Sequence, residues 1–166
     1  MGKILSLEEL LEELKPLRGK KKIVFTNGCF DLLHAGHVHY LNECKKLGDL
    51  LVVGINSDDS IRRIKGEKRP ILPLQMRAYL LSNLKAVDYV VPFEEETPIK
   101  LIRVIRPDFL VKGGDWKIEN IVGADFVQSY GGKVLTIPFK FDISTTKIVE
   151  EIKKRYCGGT KNGRGS

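Results

Sequence analysis

The chain alternates short runs of consecutive apolar residues with longer stretches in which apolar residues recur every three or four positions. The short runs predict five buried strands, at residues 22–27, 50–56, 87–91, 108–112 and 133–138. The longer stretches predict helices at residues 6–15, 36–47, 57–64, 73–84, 97–105, 118–130 and 145–156. Apolar strands that alternate with helices predict an α/β, Rossmann-like fold: a parallel five-stranded sheet with helices on both faces.

The first helix has clear start and stop signals. Ser6 and Glu9 have the spacing of a capping box, and Pro16 and Gly19 follow the last apolar position. We therefore expect an N-terminal helix and linker over residues 1–19 and an α/β domain over residues 20–157. Residues 158–166, GGTKNGRGS, predict a flexible basic tail.

The unusual polar residues of this sequence fall in the loops that follow the predicted strands. Right-handed crossovers place these loops along one edge of a parallel sheet, where open α/β sheets bind ligands. The loop residues are His34, His37, Asn56, Asp58, Lys65, Lys112–Trp116, Asp142 and Ser144–Thr146. The pattern predicts one shared ligand-binding rim.

The segment Thr26–Leu41, TNGCFDLLHAGHVHYL, contains all three histidines of the chain. His34 and His37 lie where a helix begins, and free N–H groups and a partial positive charge make such a helix start attractive to phosphate. Imidazoles there add donors to phosphoryl oxygens. The same pair is compatible with simple helix capping or with half a zinc site, but the three cysteines are too scattered to complete one. His39 should project from another helix face and be structural.

Composition narrows the possible environments and partners. No apolar run approaches the roughly 20 residues of a membrane span, and the acidic amphipathic N-terminus is unlike a signal peptide. Three irregularly spaced cysteines predict a reducing compartment, so we expect a cytoplasmic protein without membrane contact. The net charge of +7 is dispersed, which favours a polyphosphate pocket over nucleic-acid binding. An RNA-associated or nucleotide-sensing domain without turnover remains an alternative.

Several motifs resemble a known family. GCFDLLHAGHVHYL resembles the GxFDxxHxGHxxxL signature of the cytidylyltransferase-like nucleotidyltransferases, and DISTTKI (142–148) resembles their second signature. LGDLLVVGINSD, IKGEKRPILPLQMR, AVDYVVPFEEETP and LVKGGDW narrow the resemblance to the domain that makes ADP-heptose from heptose 1-phosphate. The likeness covers about residues 20–156 and implies the stand-alone form, for which a separate sugar kinase would supply the substrate.

The resemblance implies transfer of AMP from ATP to a sugar 1-phosphate, with release of pyrophosphate. It implies a catalytic set of His34, His37 and Lys65. It implies a nucleotide-binding set of Thr26, Asn27, Gly28, Cys29, Phe30, Lys112, Gly113, Asp115, Trp116, Ser144, Thr145 and Thr146. It implies a sugar-phosphate-binding set of Asp31, Asn56, Asp58, Arg69, Arg77 and Asp142. Mg²⁺ is expected to arrive with ATP, without a dedicated set of metal ligands, and the protein is expected to form a homodimer or a higher homo-oligomer.

Some of these assignments have structural alternatives. Asp31 could be a turn carboxylate, Arg77 could form a helix-surface salt bridge, Trp116 could be a packing residue, and Ser144 could simply cap a helix. The broader family carries R-T-x-G before ISTT, whereas this chain has Phe-Lys-Phe-Asp at residues 139–142. The departure argues against a glycerol-phosphate or choline-phosphate cytidylyltransferase. A cytidylyltransferase that uses CTP and a polyol phosphate remains the alternative enzyme.

Overall fold

The computed structural model describes residues 1–157, and its centre is a parallel sheet of six strands. The strands are β1 (Lys3–Ile4), β2 (Ile23–Gly28), β3 (Leu50–Asn56), β4 (Tyr89–Phe93), β5 (Phe109–Gly113) and β6 (Lys133–Ile137). They lie in the order β1-β4-β3-β2-β5-β6. The predicted α/β class is confirmed, and the predicted tail at residues 158–166 lies outside the described residues.

Seven α-helices accompany the strands in residues 1–157, six of them between strands and the last after β6. They are α1 (Leu7–Leu14), α2 (Ala35–Lys45), α3 (Asp58–Lys65), α4 (Leu74–Ser82), α5 (Ile99–Ile105), α6 (Ala124–Ser129) and α7 (Thr145–Tyr156). Short 3₁₀ turns cover Lys15–Leu17 and Ile118–Asn120. The single helix predicted over 118–130 is therefore wrong, because Gly123, with φ of +87°, separates a 3₁₀ turn from a short α6. Among the residues described, no helix is both long enough and apolar enough to cross a membrane.

The predicted strand count of five is corrected to six by β1. This strand has only two residues, both exposed, so it leaves no apolar run in the sequence. It is defined by hydrogen bonds to the edge of β4, from Lys3 N to Asp88 O and from Leu5 N to Val90 O, each 2.9 Å long. β4 also ends later than predicted. It continues through Pro92, which has no N–H to donate to a neighbouring strand. Proline is tolerated there because β1 pairs only with Tyr89 and Val90 and does not extend as far as residue 92.

The sheet buries apolar side chains on both faces. Neighbouring residues of a strand point to opposite faces, and Phe25 and Val24 accordingly belong to different clusters. The Phe25 cluster is covered by α1, α5 and α6, and the Val24 cluster by α2 and α4. Leu10 and Leu14 of α1 are fully buried in the first cluster. The N-terminal helix is therefore part of the same core as the rest of the domain.

The strand order positions the candidate site. The chain leaves β2 towards β3 on one side and later returns to place β5 on the other side of β2. Such a reversal opens a crevice at the carboxyl ends of the central strands. The loops after β2, β3 and β5 meet there, together with the segment that enters α7. The shared rim expected from the sequence is thereby formed.

Candidate phosphate-binding site

The two histidines at the start of α2 cap the helix together. His34 is the N-cap residue, and its Nδ1 accepts a bond from His37 N at 3.4 Å. His37 Nδ1 accepts a bond from His34 N at 3.3 Å, and the rings stack with centroids 3.7 Å apart. Because both Nδ1 atoms accept hydrogen bonds, each neutral ring carries its proton on Nε2. The capping alternative is therefore correct, and it leaves both Nε2–H groups free to serve as donors.

Both imidazoles are poor bases in this setting. Burial, followed by the nearby His34 and Lys65, lowers the pKa of His37 from 6.5 to about 4. Burial also lowers the pKa of His34. His37 is thus neutral at pH 7 and can donate a hydrogen bond to an anion without acting as a general base. This arrangement suits stabilisation of phosphoryl oxygens.

A cleft of about 420 Å³ lies at the ends of the central strands. His37 lines this cleft, whereas His34, whose ring stacks on His37, is not among the lining residues. Twelve of the predicted site residues line it: Asn27, Gly28, Cys29, Phe30, Asp31, His37, Asn56, Lys65, Arg69, Lys112, Gly113 and Thr145. They come from five separate segments of the chain, which only the fold brings together. Of the rim residues expected from the sequence, the cleft lining contains His37, Asn56, Lys65, Lys112, Gly113 and Thr145.

Three cations border this cleft from different elements. Lys65 is the last residue of α3, Arg69 follows it in the next loop, and Lys112 belongs to β5. The Nζ of Lys112 lies 4.6 Å from the centroid of the Trp116 ring, and burial lowers the pKa of Lys112. Arg69 Nη2 lies 3.4 Å from Thr146 Oγ1. Convergent positive charge beside a helix N-terminus favours a polyphosphate ligand.

A second cleft, of about 500 Å³, lies where β1 and β4 end and is less suited to phosphate. Its charged lining consists of Glu8, Glu94 and Glu95 against the single cation Lys100. An excess of carboxylates repels polyphosphate. The candidate site is therefore the cleft beside the histidine pair.

Asp31, for which a contact with a sugar phosphate is predicted, lines the cleft and also binds the backbone of a neighbouring loop. The Asp31 side chain is 5% exposed, and its two oxygens accept bonds from Ile71 N at 2.7 Å and Leu72 N at 3.0 Å. Its main-chain carbonyl accepts a bond from the Thr145 hydroxyl. These bonds agree with the turn-carboxylate alternative, and the contact with a sugar phosphate stays a prediction.

The structure places Arg77, for which a phosphate clamp is predicted, in the interior of the domain. Its side chain is fully buried, and its guanidinium donates to main-chain carbonyls and to Asp58. It therefore does not face the cleft. Asp58 holds this guanidinium at 2.6 Å and is absent from the cleft lining, and its contact with the sugar stays a prediction.

Two further predicted contacts point elsewhere. Thr26 is buried, and its hydroxyl lies 2.7 Å from that of Tyr40, so its side chain is part of the core. Asp142 is exposed and pairs with Lys147. Neither residue is in the cleft lining, and their contacts with the nucleotide and the sugar phosphate stay predictions.

The remaining predicted residues lie beside the cleft without lining it. Ser144 caps α7 by accepting a bond from Lys147 N at 3.0 Å, as its alternative assignment expected. Asp115 and Trp116 are exposed in the loop after β5, and Thr146 contacts Arg69. These positions leave Trp116 and Thr146 near the mouth of the site.

Sequence reasoning missed five residues of the lining: Tyr40, Ile61, Ile64, Glu96 and Phe139. Tyr40 follows His37 by three positions, so one helical turn places both on the same face, and this signal was available. Phe139 packs against a glycine instead: a Cβ on Gly113 would lie 2.9 Å from Phe139 Cε1. That contact joins β5 to a loop that is distant in the sequence, so no local sequence pattern predicts it.

The residues described offer no cage for a metal ion. In the range 1–157, no three His, Cys, Asp or Glu side chains group closely enough to hold one. Asp31, a carboxylate in the cleft, is already engaged with Ile71 and Leu72. The donor set does not fit a resident metal.

The fold and this cleft define an α/β domain with a cationic cleft beside the start of a helix. A family model described as cytidylyltransferase-like matches residues 25–151, and the chain belongs to this family.

Individual relatives narrow the similarity further. The chain is 55% identical to the bifunctional protein HldE of Pelobacter propionicus over 147 residues, which is 89% of this chain and 30% of that protein. It is 56% identical to the bifunctional protein HldE of Syntrophotalea carbinolica over 154 residues, 93% of this chain and 31% of that protein. The chain thus spans about a third of the length of these curated relatives.

Solved structures show the same architecture. A lipopolysaccharide core biosynthesis protein from Thermoplasma volcanium is 35% identical, with a TM-score of 0.58, and the match covers 74% of this chain and 99% of that one. A pantoate-beta-alanine ligase from Francisella tularensis has a TM-score of 0.61 at 17% identity, covering 92% of this chain and 77% of that one. The second likeness shows a shared fold alone.

Proposed function

We propose that this chain is an adenylyltransferase that transfers AMP from ATP to a sugar 1-phosphate, with heptose 1-phosphate as the sugar substrate and ADP-heptose and pyrophosphate as products. The observation that carries the proposal is the mutually capped pair His34 and His37. Their Nε2–H donors stand at a helix N-terminus, beside a cleft bordered by Lys65, Arg69 and Lys112.

The chemistry fits donors that stabilise charge. An oxygen of the sugar phosphate attacks the α-phosphorus of ATP, and the bond from that phosphorus to the oxygen shared with the β-phosphate breaks. Pyrophosphate leaves with the electron pair. A phosphate is already an anionic nucleophile at neutral pH, so the step needs positioning and charge stabilisation more than a base. Neutral His34 and His37 would supply donors to the phosphoryl oxygens.

A covalent route through cysteine has no support in this cleft. Cys29 is the cysteine in the lining, and burial raises the pKa of its thiol. A thiol that stays protonated at pH 7 is a weak nucleophile. Direct transfer between the two substrates is therefore the mechanism we propose.

The choice of sugar rests on the motif resemblance and on the relatives. The relatives named bifunctional protein HldE align with nearly the whole chain, and one similar solved structure is a lipopolysaccharide core biosynthesis protein. Under this proposal, Asn56 and Arg69 face the sugar phosphate, and the loop from Lys112 to Trp116 borders the nucleotide. Mg²⁺ would accompany ATP as the counter-ion of its phosphates.

The wider context belongs to the same proposal. A separate sugar kinase would supply the sugar 1-phosphate in the cytoplasm, and the chain would work as a homodimer or a higher homo-oligomer. Sedimentation of the purified chain measures the oligomeric state, and a monomer at micromolar concentration would contradict that part.

The activity is tested by pyrophosphate release. ATP and CTP are each supplied with a panel of phosphorylated sugars and polyols that includes heptose 1-phosphate and glycerol 3-phosphate. We expect turnover with ATP and heptose 1-phosphate. Turnover with CTP and glycerol 3-phosphate, and none with ATP and heptose 1-phosphate, would establish the cytidylyltransferase alternative in its place.

RNA binding gives a separate test of the alternative suggested by the net charge. If the chain is an RNA-associated domain, single-stranded RNA should bind with micromolar or better affinity at physiological salt and weaken steeply as salt rises. We expect no such binding. Its presence together with absent pyrophosphate release would contradict the enzymatic proposal.

A further inference from the structure

Four segments around the cleft converge on one buried side chain, Arg77 of α4. Its Nη1 donates to Cys29 O at 2.8 Å and to Asn56 O at 2.9 Å. Its Nε donates to Leu72 O at 2.9 Å, and Nη2 pairs with Asp58 at 2.6 Å. The guanidinium thus ties together the loop after β2, the end of β3, the start of α3 and the loop between α3 and α4.

Asp31 also binds the loop between α3 and α4, through the backbone N–H groups of Ile71 and Leu72. Its carboxylate accepts the N–H of Leu72, while Arg77 takes the C=O of the same residue. Phe30 and Leu32, which flank Asp31, have φ of +50° and +53°. Such values are costly for residues with a side chain and persist only where surrounding contacts enforce them. The bonds to Cys29, Ile71 and Leu72 supply that enforcement.

The anchored loop presents one of the cations of the cleft. Arg69 lies three residues before Leu72, lines the cleft and approaches Thr146. An arginine in a surface loop otherwise samples many positions, at a cost in entropy when it must be fixed. We propose that Arg77 is a positioning residue: by pinning Leu72, Cys29 and Asn56 it holds Arg69 against the cleft in the orientation that meets a phosphate.

The geometry explains why an arginine is needed at this position. The guanidinium carries five N–H donors in a rigid plane and here reaches four acceptors on different sides. A lysine ammonium has three donors on one atom and cannot span them. The partly exposed Asp58 balances the buried positive charge, which would be costly without a partner.

The first test needs no substrate. Hydrogen exchange is measured on Arg77→Lys, with Arg155→Lys, an exposed arginine paired with Glu151, as the matched control. We expect amides of residues 66–72 to exchange at least tenfold faster in Arg77→Lys, with the amides of β5 and β6 unchanged and the control like wild type. Unchanged exchange in residues 66–72, or equal acceleration throughout the domain, would overturn the proposal. If Arg77→Lys does not fold, the double variant Arg77→Met/Asp58→Asn is measured in its place. The double variant removes both partners of the ion pair and so leaves no unpaired buried charge.

The second test rests on the proposed adenylyl transfer and measures kcat and KM for ATP. We expect Arg77→Lys to show the same division between kcat and KM as Arg69→Gln. We also expect the double variant to be no more than about twofold worse in kcat/KM than Arg69→Gln alone. If the fold-losses in kcat/KM of the two single variants multiply in the double variant, Arg77 does not act through Arg69. Absent turnover in wild type would refute the enzymatic proposal and leave the exchange result standing.

Discussion

At the residue scale, each histidine of the pair uses its two ring nitrogens for two tasks. Nδ1 caps the backbone of α2, and Nε2–H is left as a donor. A Ser–Glu capping box, such as Ser6 with Glu9 in α1, satisfies the helix end but offers no such donor. This difference accounts for histidine at both positions.

A substitution can separate capping from catalysis at His34. Asparagine is a good N-cap residue, so His34→Asn should retain the helix start while it removes the Nε2–H donor. We expect thermal stability close to wild type and kcat lower by about 10²–10³-fold, the usual effect of losing one transition-state donor. His39→Asn is the matched control, since His39 contacts the edge of Phe141 outside the cleft lining. Undiminished turnover in folded His34→Asn would exclude the catalytic role.

His37 should make stability depend on pH. Its pKa is about 4 in the folded chain and near 6.5 when unfolded, so between these values the unfolded chain binds the additional proton. The free energy of unfolding should therefore decrease as pH falls from about 6.5 to about 4. Urea unfolding of wild type and His37→Asn at a series of pH values measures this. The two curves should diverge above pH 4 and run parallel above pH 7, and parallel curves throughout would contradict the shifted pKa.

At the element scale, Gly36 in the first turn of α2 leaves room for the ring of His34. A Cβ on Gly36 would lie 3.0 Å from two atoms of the His34 ring and 3.2 Å from Ile143 Cγ2. Alanine is intrinsically the better helix former by up to about 1 kcal/mol. Helix propensity and site geometry therefore favour different residues at position 36.

Gly36→Ala should consequently separate stability from activity. We expect the thermal midpoint to stay the same or rise and kcat to fall at least tenfold, because the His34 ring must shift by a few tenths of an ångström. Asn42→Ala, at an exposed position of the same helix, is the control that raises helix propensity without touching the site. Full activity in Gly36→Ala would show that the ring can relax without consequence.

The elements with strong local signals were predicted well, and those defined by distant partners were not. The capping box of α1 and the range 145–156 for α7 were confirmed. β1 and the break at Gly123 were missed, because two exposed residues and one positive φ leave no hydrophobic period to detect. At the site, His37, Lys65 and Lys112 were predicted and line the cleft, whereas Arg77 was assigned to a ligand that it does not face.

At the scale of the whole molecule, β1 closes an otherwise open sheet edge. Deletion of Gly2–Leu5 would expose the N–H and C=O groups of β4 that now pair with it. We expect a lower urea midpoint and greater aggregation on heating, with the cleft retained. Lys3→Ala, which removes only the exposed pair with Glu13, should behave like wild type. An unchanged midpoint after the deletion would mean that β1 contributes nothing to the edge.

The sequence by itself determined the class of fold, the rim and the histidine pair. Strand and helix periods are local properties, and parallel connectivity sends every strand end to the same edge. Only the tertiary structure decided what each polar side chain faces. Arg77 and Thr26 are polar residues near the rim, yet hydrogen bonds to distant backbone or to Tyr40 turn them inward. Asp31 lines the cleft, and its carboxylate binds the backbone of Ile71 and Leu72. A buried polar group must be hydrogen-bonded, and its partner can come from a distant part of the chain. The neighbouring residues in the sequence therefore do not predict that partner.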